Sequence, residues 1–541
     1  MHSSYDYIVV GGGSAGCIVA ARLAEGGHTV LLLEAGGPAR QYPETLRDDG
    51  FKDAFANEGA MWHRMSTPQA GCGGRALFAG SGRVIGGSGA VNGMVYTRGD
   101  VRDYQSWPTG WQWQDLQDSF TAVEARLGIR SRKPTPFAQR FLEAAVAAGF
   151  ERKDGMNDGD LAGVVGCNDM NFAGSSRRSS YSAYLHDQKP AGLDIAYHAT
   201  VRKIGFRQRR AVSVEYRQNG RNQHARAGAE IVLCAGALET PRLLMLSGVG
   251  PRAQLARHGI DCVLDAPGVG QHLQDHPNVC LFYRAKALVD FKYPQLYGFD
   301  AALREPSQPR GEAPDTCFVC YAAPPSMMHS TLRMAPILAL PGRLHAVRPL
   351  RLLLRALIRL IFLLPPMRSF MSGVFGIVVI LGKPEARGRI TLRSADPDAP
   401  ADIDLGYFTA PRDRLRMEAG IRKARSIAAQ PALQALGVKP LSAGAKPIDG
   451  KPLWAWIHKA AMTTFHFCGS CRMGTDALSP VDPELRVKGL ENLRIADASV
   501  IPEIPVSALN APSMVIGYRA ADLILRQSNR GAAKAHLGEV A

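Results

Sequence analysis

The 541-residue sequence predicts an α/β protein in which a Rossmann-type nucleotide-binding domain is combined with an α+β domain. Two observations carry this expectation. A strand, a glycine-rich turn, a helix and a second strand follow one another within the first 34 residues. The length holds roughly three domains' worth of core, or two large interleaved ones. Hydrophobic residues make up 46% of the chain and charged residues 21%, which fits a globular protein and argues against a disordered or multi-span chain. Lys plus Arg is 64 against 48 for Asp plus Glu, a formal charge of +16. That balance permits anionic partners without requiring them.

Tyr7-Ile8-Val9-Val10 is a short apolar run suited to a buried parallel strand. Gly11-Gly12-Gly13-Ser14-Ala15-Gly16 fits G-x-G-x-x-G, and Cys17 to Glu25 reads as the helix that follows. Thr29 to Leu33 forms the second strand and ends at Glu34. In this setting the glycines allow a sharp turn and let backbone N–H groups approach a pyrophosphate at the helix N-terminus. Glu34 stands 18 residues past Gly16, placed to accept hydrogen bonds from a ribose diol and to disfavour a 2′-phosphate. The motif alone does not separate FAD from NAD. A second glycine cluster, Gly86, Gly87, Gly89 and Gly93, would let the backbone lie flat against something planar or charged.

The segment from Gly82 to Gly99 resembles the first signature of the glucose–methanol–choline (GMC) flavin oxidoreductases. Gly236-Ala237-Leu238-Glu239-Thr240-Pro241-Arg242 through Pro251 resembles the second. Thr464-Phe465-His466, Gly469 to Gly474, Leu493 to Ser499 and Asn510 to Met514 continue the match to the C-terminal part. The resemblance is collinear from residue 5 to about 526 and weak only between about 285 and 370. It implies an FAD site in which Gly11, Gly13, Ser14, Ala15, Gly16 and Glu34 hold the ADP-ribose part. It implies Arg83, Gly87 and Asn92 beside the flavin and pyrophosphate, Val201 at the adenine, and Asp497 and Ala498 at the ribityl chain and pyrophosphate. Val91 stands where some relatives carry a His that binds FAD covalently, so bound but non-covalent FAD is expected.

Oxidising an alcohol needs a base for the hydroxyl proton, a hydride acceptor and donors for the developing alkoxide. A flavin supplies the acceptor, and the protein supplies position and electrostatics. His466 is the candidate base: Phe465 and Phe467 flank it, and desolvation would keep its imidazole neutral. The resemblance places a His or an Asn as its partner. Asn510 matches the Asn form, which can orient and hydrogen-bond but cannot take a proton. His272 and His276 read as structural loop residues. The leading expectation is oxidation of a primary, apolar alcohol. A lyase or decarboxylase reaction on the same scaffold, or a non-catalytic membrane-bound flavoprotein, remains as the alternative. Oxidase and dehydrogenase stay undivided, with a quinone among the candidate electron acceptors.

The expected domains are FAD-binding at 1–150, 190–285 and 465–530, and substrate-binding at 286–464, with 150–190 as a connection near the pocket. Within the second domain, 344–366 is a basic amphipathic insert. Arg348, Arg351, Arg355 and Arg359 fall on one stripe about 80° wide, and the remainder is Leu, Ile, Phe and Ala. At 1.5 Å per residue, 349–364 spans about 24 Å, short of a bilayer core. Peripheral membrane contact with the Arg stripe at the headgroups is one expectation, and an internal helix showing that stripe to water is the other. No leader-like segment opens the chain, so a cytoplasmic location is expected, at most peripheral to the inner face of a membrane. The ten Cys lack compact zinc spacing, and no metal is expected. Neither a GxxxxGK[ST] loop nor a basic cluster with interleaved aromatics occurs, which argues against NTP and nucleic acid as partners.

Overall fold

In the computed structural model, residues 4–304, 312–340, 344 and 347–539 are described. The apolar runs at the start become strands buried on both faces, β1 (Ser4–Val10) and β2 (Val30–Leu33), which pair in parallel from Tyr7 and Val30 onward. α1 (Gly16–Glu25) joins them, and α2 (Phe51–Ala56) follows. β3 (Leu193–Ala196) lies parallel to β2 on the far side from β1. β4 (Ala199–Arg207), β5 (Arg210–Gln218) and β6 (Arg221–Leu233) form an antiparallel meander. The 13-residue β6 serves both parts of the sheet. Its first half pairs with β5, and its second half runs parallel to β1 and to Leu493–Ile495. Segments hundreds of residues apart thus share one seven-stranded sheet.

The second sheet is mainly antiparallel. β7 (Pro277–Arg284), β8 (Leu296–Asp300), β9 (Thr316–Ala322) and β10 (Val374–Leu381) lie in the order β7-β10-β9-β8. Val164–Cys167 and Glu151–Arg152 extend it beyond β8, so the stretch 150–190 supplies strands as well as a connection. Arg389–Thr391 pairs with Asp402–Asp404 in a separate antiparallel ribbon. α3 (Ala323–Ala339) and α4 (Arg348–Leu363) occupy the chain between β9 and β10. α5 (Asn510–Glu539) returns to pack on α1. A Cβ on Gly517 would meet the Ala15 carbonyl at 2.6 Å, so glycine lets α5 pass close to the start of α1.

The Arg stripe of α4 is split, because two of its four members face the protein. Arg351 and Arg355 pair with Glu58 at 3.3 and 3.0 Å, and Arg355 also donates to the Ala56 carbonyl at 2.6 Å. Buried Arg333 of α3 donates to the carbonyls of Phe55 and Asn57, both at 2.8 Å. These cations gather at the C-terminal end of α2, where the helix dipole is negative. Leu354, Ile358 and Phe362 pack toward Leu332 and Ala56. The opposite face of α4 is turned outward and consists of leucines: Leu352, Leu353, Leu357 and Leu360 are each more than half exposed. Among the described residues, no helix is long and apolar enough to cross a membrane.

Candidate active site

The turn after β1 is built by close approach. Gly11 has φ +103°, and a Cβ there would lie 2.5 Å from the Cys234 carbonyl. At Gly13 a Cβ meets nothing within 4 Å, so this backbone faces open space in front of α1. Glu34, at the end of β2, accepts the N–H of Gly12 at 2.8 Å and of Gly36 at 2.6 Å. Burial pushes its carboxyl up to about 7. Two N–H bonds leave lone pairs on that carboxylate for hydroxyl donors. The open space belongs to a cavity of about 510 Å³.

Gly11, Gly13, Ser14, Ala15, Glu34, Gly87, Asn92, Val201, Asp497, Ala498, His466 and Asn510 all line this cavity, and so does Val91. Gly16 and Arg83 are not among its lining residues. Gly16 instead allows α1 to begin against Gly11, whose carbonyl would lie 1.9 Å from a Cβ. The Arg83 guanidinium lies 4.4 Å over the Trp62 ring. Asp497 accepts the Gly236 and Ser499 N–H groups at 2.9 and 2.7 Å and the Thr240 hydroxyl at 2.6 Å. Asn92 Oδ1 and its carbonyl accept from Arg177 at 2.8 and 2.6 Å, which ties the second glycine cluster down. Arg177 is fully buried, and burial pulls its guanidinium down to about 9. Nothing in the local sequence marks Arg177, because the carbonyls and amide it serves lie some 85 residues upstream.

His466 and Asn510 supply the chemistry. His466 Nδ1 lies 2.9 Å from His276 Nδ1, with the rings at 86°. His276 is therefore no mere loop residue, and its contact joins positions 190 apart. The second nitrogen of His466 is the one left to the cavity. Burial holds the His466 imidazolium down at about 4 and moves His276 in the same direction. Asp275, also missed in the sequence, accepts the backbone N–H of His466 at 2.7 Å. The hydroxyls of Thr463 and Tyr407 donate to its other oxygen. Phe465, between these anchors, sits at φ +63°, a conformation that a bulky residue adopts only when its surroundings enforce it. Asn510 begins α5 with Oδ1 accepting from the Ser14 hydroxyl at 3.0 Å. Its buried Nδ2 has no hydrogen-bond partner. A neutral imidazole nitrogen, an unused amide donor and a glycine cradle with an acidic residue at the strand end thus share one cavity. Among the described residues, no group of three or more His, Cys, Asp or Glu is arranged to hold a metal.

Two GMC oxidoreductase family models match this chain, the N-terminal one over residues 5–278 and the C-terminal one over 384–517. Oxygen-dependent choline dehydrogenase from Photobacterium profundum is 31% identical, covering 97% of this chain and 94% of that protein. The protein of the same name from Burkholderia ambifaria is 32% identical, with 96% and 93% covered. The structure of pyridoxine 4-oxidase from Mesorbium loti superposes with a TM-score of 0.81 at 27% identity, covering 96% of this chain and 98% of that one. A variant of formate oxidase from Aspergillus oryzae reaches 0.81 at 23% identity, with 98% and 99% covered, a likeness of fold.

Proposed function

The chain belongs to the GMC oxidoreductase family, and from that premise we propose that it oxidises a primary alcohol with an uncharged, apolar chain to the aldehyde. It is an FAD-dependent enzyme acting on CH–OH donors. The cradle fits the dinucleotide: Gly13 leaves room before α1, and Glu34 retains acceptor capacity. When bound, FAD supplies the acceptor for the hydride from the alcohol carbon. Val91 has no side-chain group to bond a flavin, which supports non-covalent retention.

The observation that carries this reading is the His276–His466 contact. One of the two facing Nδ1 atoms must donate to the other. A base at the cavity requires that His466 be the donor of this contact, since only then is its Nε2 free of a proton. His276 Nδ1 is then the acceptor, and His466 carries its own proton on Nδ1. This tautomer leaves His466 Nε2 bare toward the cavity, able to take the hydroxyl proton as the C–H bond breaks. Asn510 Nδ2 donates to the alcohol oxygen as negative charge develops there.

The lining carboxylates argue against a cationic substrate. Glu34 and Asp497 are held by backbone N–H groups, and Glu239 pairs with Arg64 and Arg242, each at 2.9 Å. Phe465, with Phe55 at 5.9 Å and Phe78 at 6.1 Å between ring centres, gives the His466 end an apolar wall. A quaternary ammonium would lose its hydration there without a free counter-charge among the described lining residues. The test is anaerobic titration of the holoenzyme with choline and with 1-alkanols of increasing length. Alkanols should bleach the flavin bands, with kcat/KM rising with chain length. His466→Ala should keep FAD and lose about 10³-fold in kcat/KM. Bleaching by choline alone, or activity within tenfold in the variant, would contradict the reading.

A further inference from the structure

We propose that the outward face of α4 is a docking surface for an anionic lipid bilayer, with its leucines inserted and its edge arginines at the headgroups. Leu352, Leu353, Leu357, Leu360 and Leu363 are 52–67% exposed on one side of the helix. The short helix Pro365–Met371 extends this side with exposed Phe370. A contiguous apolar face of this kind is uncommon on a soluble monomer unless something covers it. The charge around it specifies the cover. Between Asp315 and Glu385 the chain holds seven Arg and one Lys and no acidic residue. Arg351 and Arg355 are spent inward on Glu58, whereas Arg348, Arg359 and Arg368 are exposed beside the leucines. A second copy of the chain would bring these arginines together with no acid in the segment to pair them. An anionic lipid surface meets both the leucines and the arginines. The orientation is set by Glu58: by drawing Arg351 and Arg355 down, it turns the leucines out.

α3 links this surface to the cavity. Ser326, His329 and Ser330 line the cavity, and Leu332 packs toward Ile358 of α4. A docked bilayer would therefore adjoin the wall through which an apolar alcohol arrives. That consequence rests on the alcohol-oxidation reading, whereas the docking itself does not.

The experiment is cosedimentation of the holoenzyme with vesicles of phosphatidylcholine, with and without one-third phosphatidylglycerol. The wild type should sediment with the anionic vesicles and be released by salt. Leu353→Glu/Leu357→Glu should bind at least tenfold less while retaining bound FAD, since both positions are exposed. Neutral vesicles should bind less than anionic ones. Failure of the wild type to sediment at low salt would overturn the proposal, as would undiminished binding by the double variant. A vesicle-free dimer that the same substitutions dissolve would overturn it in favour of a second copy.

Discussion

At the scale of the residue, proton position decides whether His466 is a base. Burial holds its imidazolium at about 4, below the ordinary histidine value near 6.5. The neutral form therefore persists into acid, and kcat/KM should fall only as pH drops through about 4. A pH profile with its acid limb at 6.5 would show that the ring is not desolvated as the structure has it. His276 acts through His466 and is a positioning residue. His276→Ala should lower kcat by about 10–100-fold with little change in KM, the scale expected when a proton-transfer group loses its orientation. His276→Asn, which keeps an acceptor oxygen, should restore part of that loss. Equal kcat in both variants would mean that His276 only fills space.

At the scale of the element, the turn 463–467 presents His466, and Asp275 holds the turn. Burial raises the Asp275 carboxyl to about 6, although hydroxyl and backbone N–H donors favour its ionised form. A carboxyl whose folded value lies above its unfolded value adds stability at low pH and loses it as pH rises through the folded value. The melting temperature of the wild type minus that of Asp275→Asn should therefore increase as pH falls from 7 to 5, and calorimetry reads it directly. A flat difference would mean that Asp275 titrates normally. The same turn shows what the sequence could and could not disclose. The glycine turn before α1 and the acidic end of β2 were legible because each signal is local, whereas His466 and Asn510 were reached through the family resemblance. Asp275, His276 and Arg177 were not legible, because each acts on a group some 85–190 residues away and has no periodicity of its own. In α4 the sequence discloses an amphipathic helix correctly. Which face turns inward depends on Glu58, about 290 residues upstream, and no hydrophobic pattern contains that information.

At the scale of the whole molecule, one cavity gathers the chain. Its walls come from the β1–α1 turn, residues 199–201, 234–239, 464–467, 497–498 and the start of α5, with Tyr297 of β8 and Tyr321 of β9 from the second sheet. No unfolded chain holds these segments together, so FAD binds the native state almost exclusively and stabilises it by mass action. At a free concentration of about 1,000 times Kd, the gain is about 4 kcal/mol. The entropy of unfolding, about 2.1 cal/mol/K per residue, comes to roughly 1.1 kcal/mol/K for a chain of this length. Removing FAD should therefore lower the melting temperature by about 4 °C under those conditions. Because both sheets contribute walls, the loss should be shared. Hydrogen exchange on the apoprotein should show faster opening in β1–β2 and in β8–β9 alike, and adding FAD back should slow both. Loosening confined to β1–β2 would mean that the second sheet contributes a wall to the cavity but gains no stability from the cofactor.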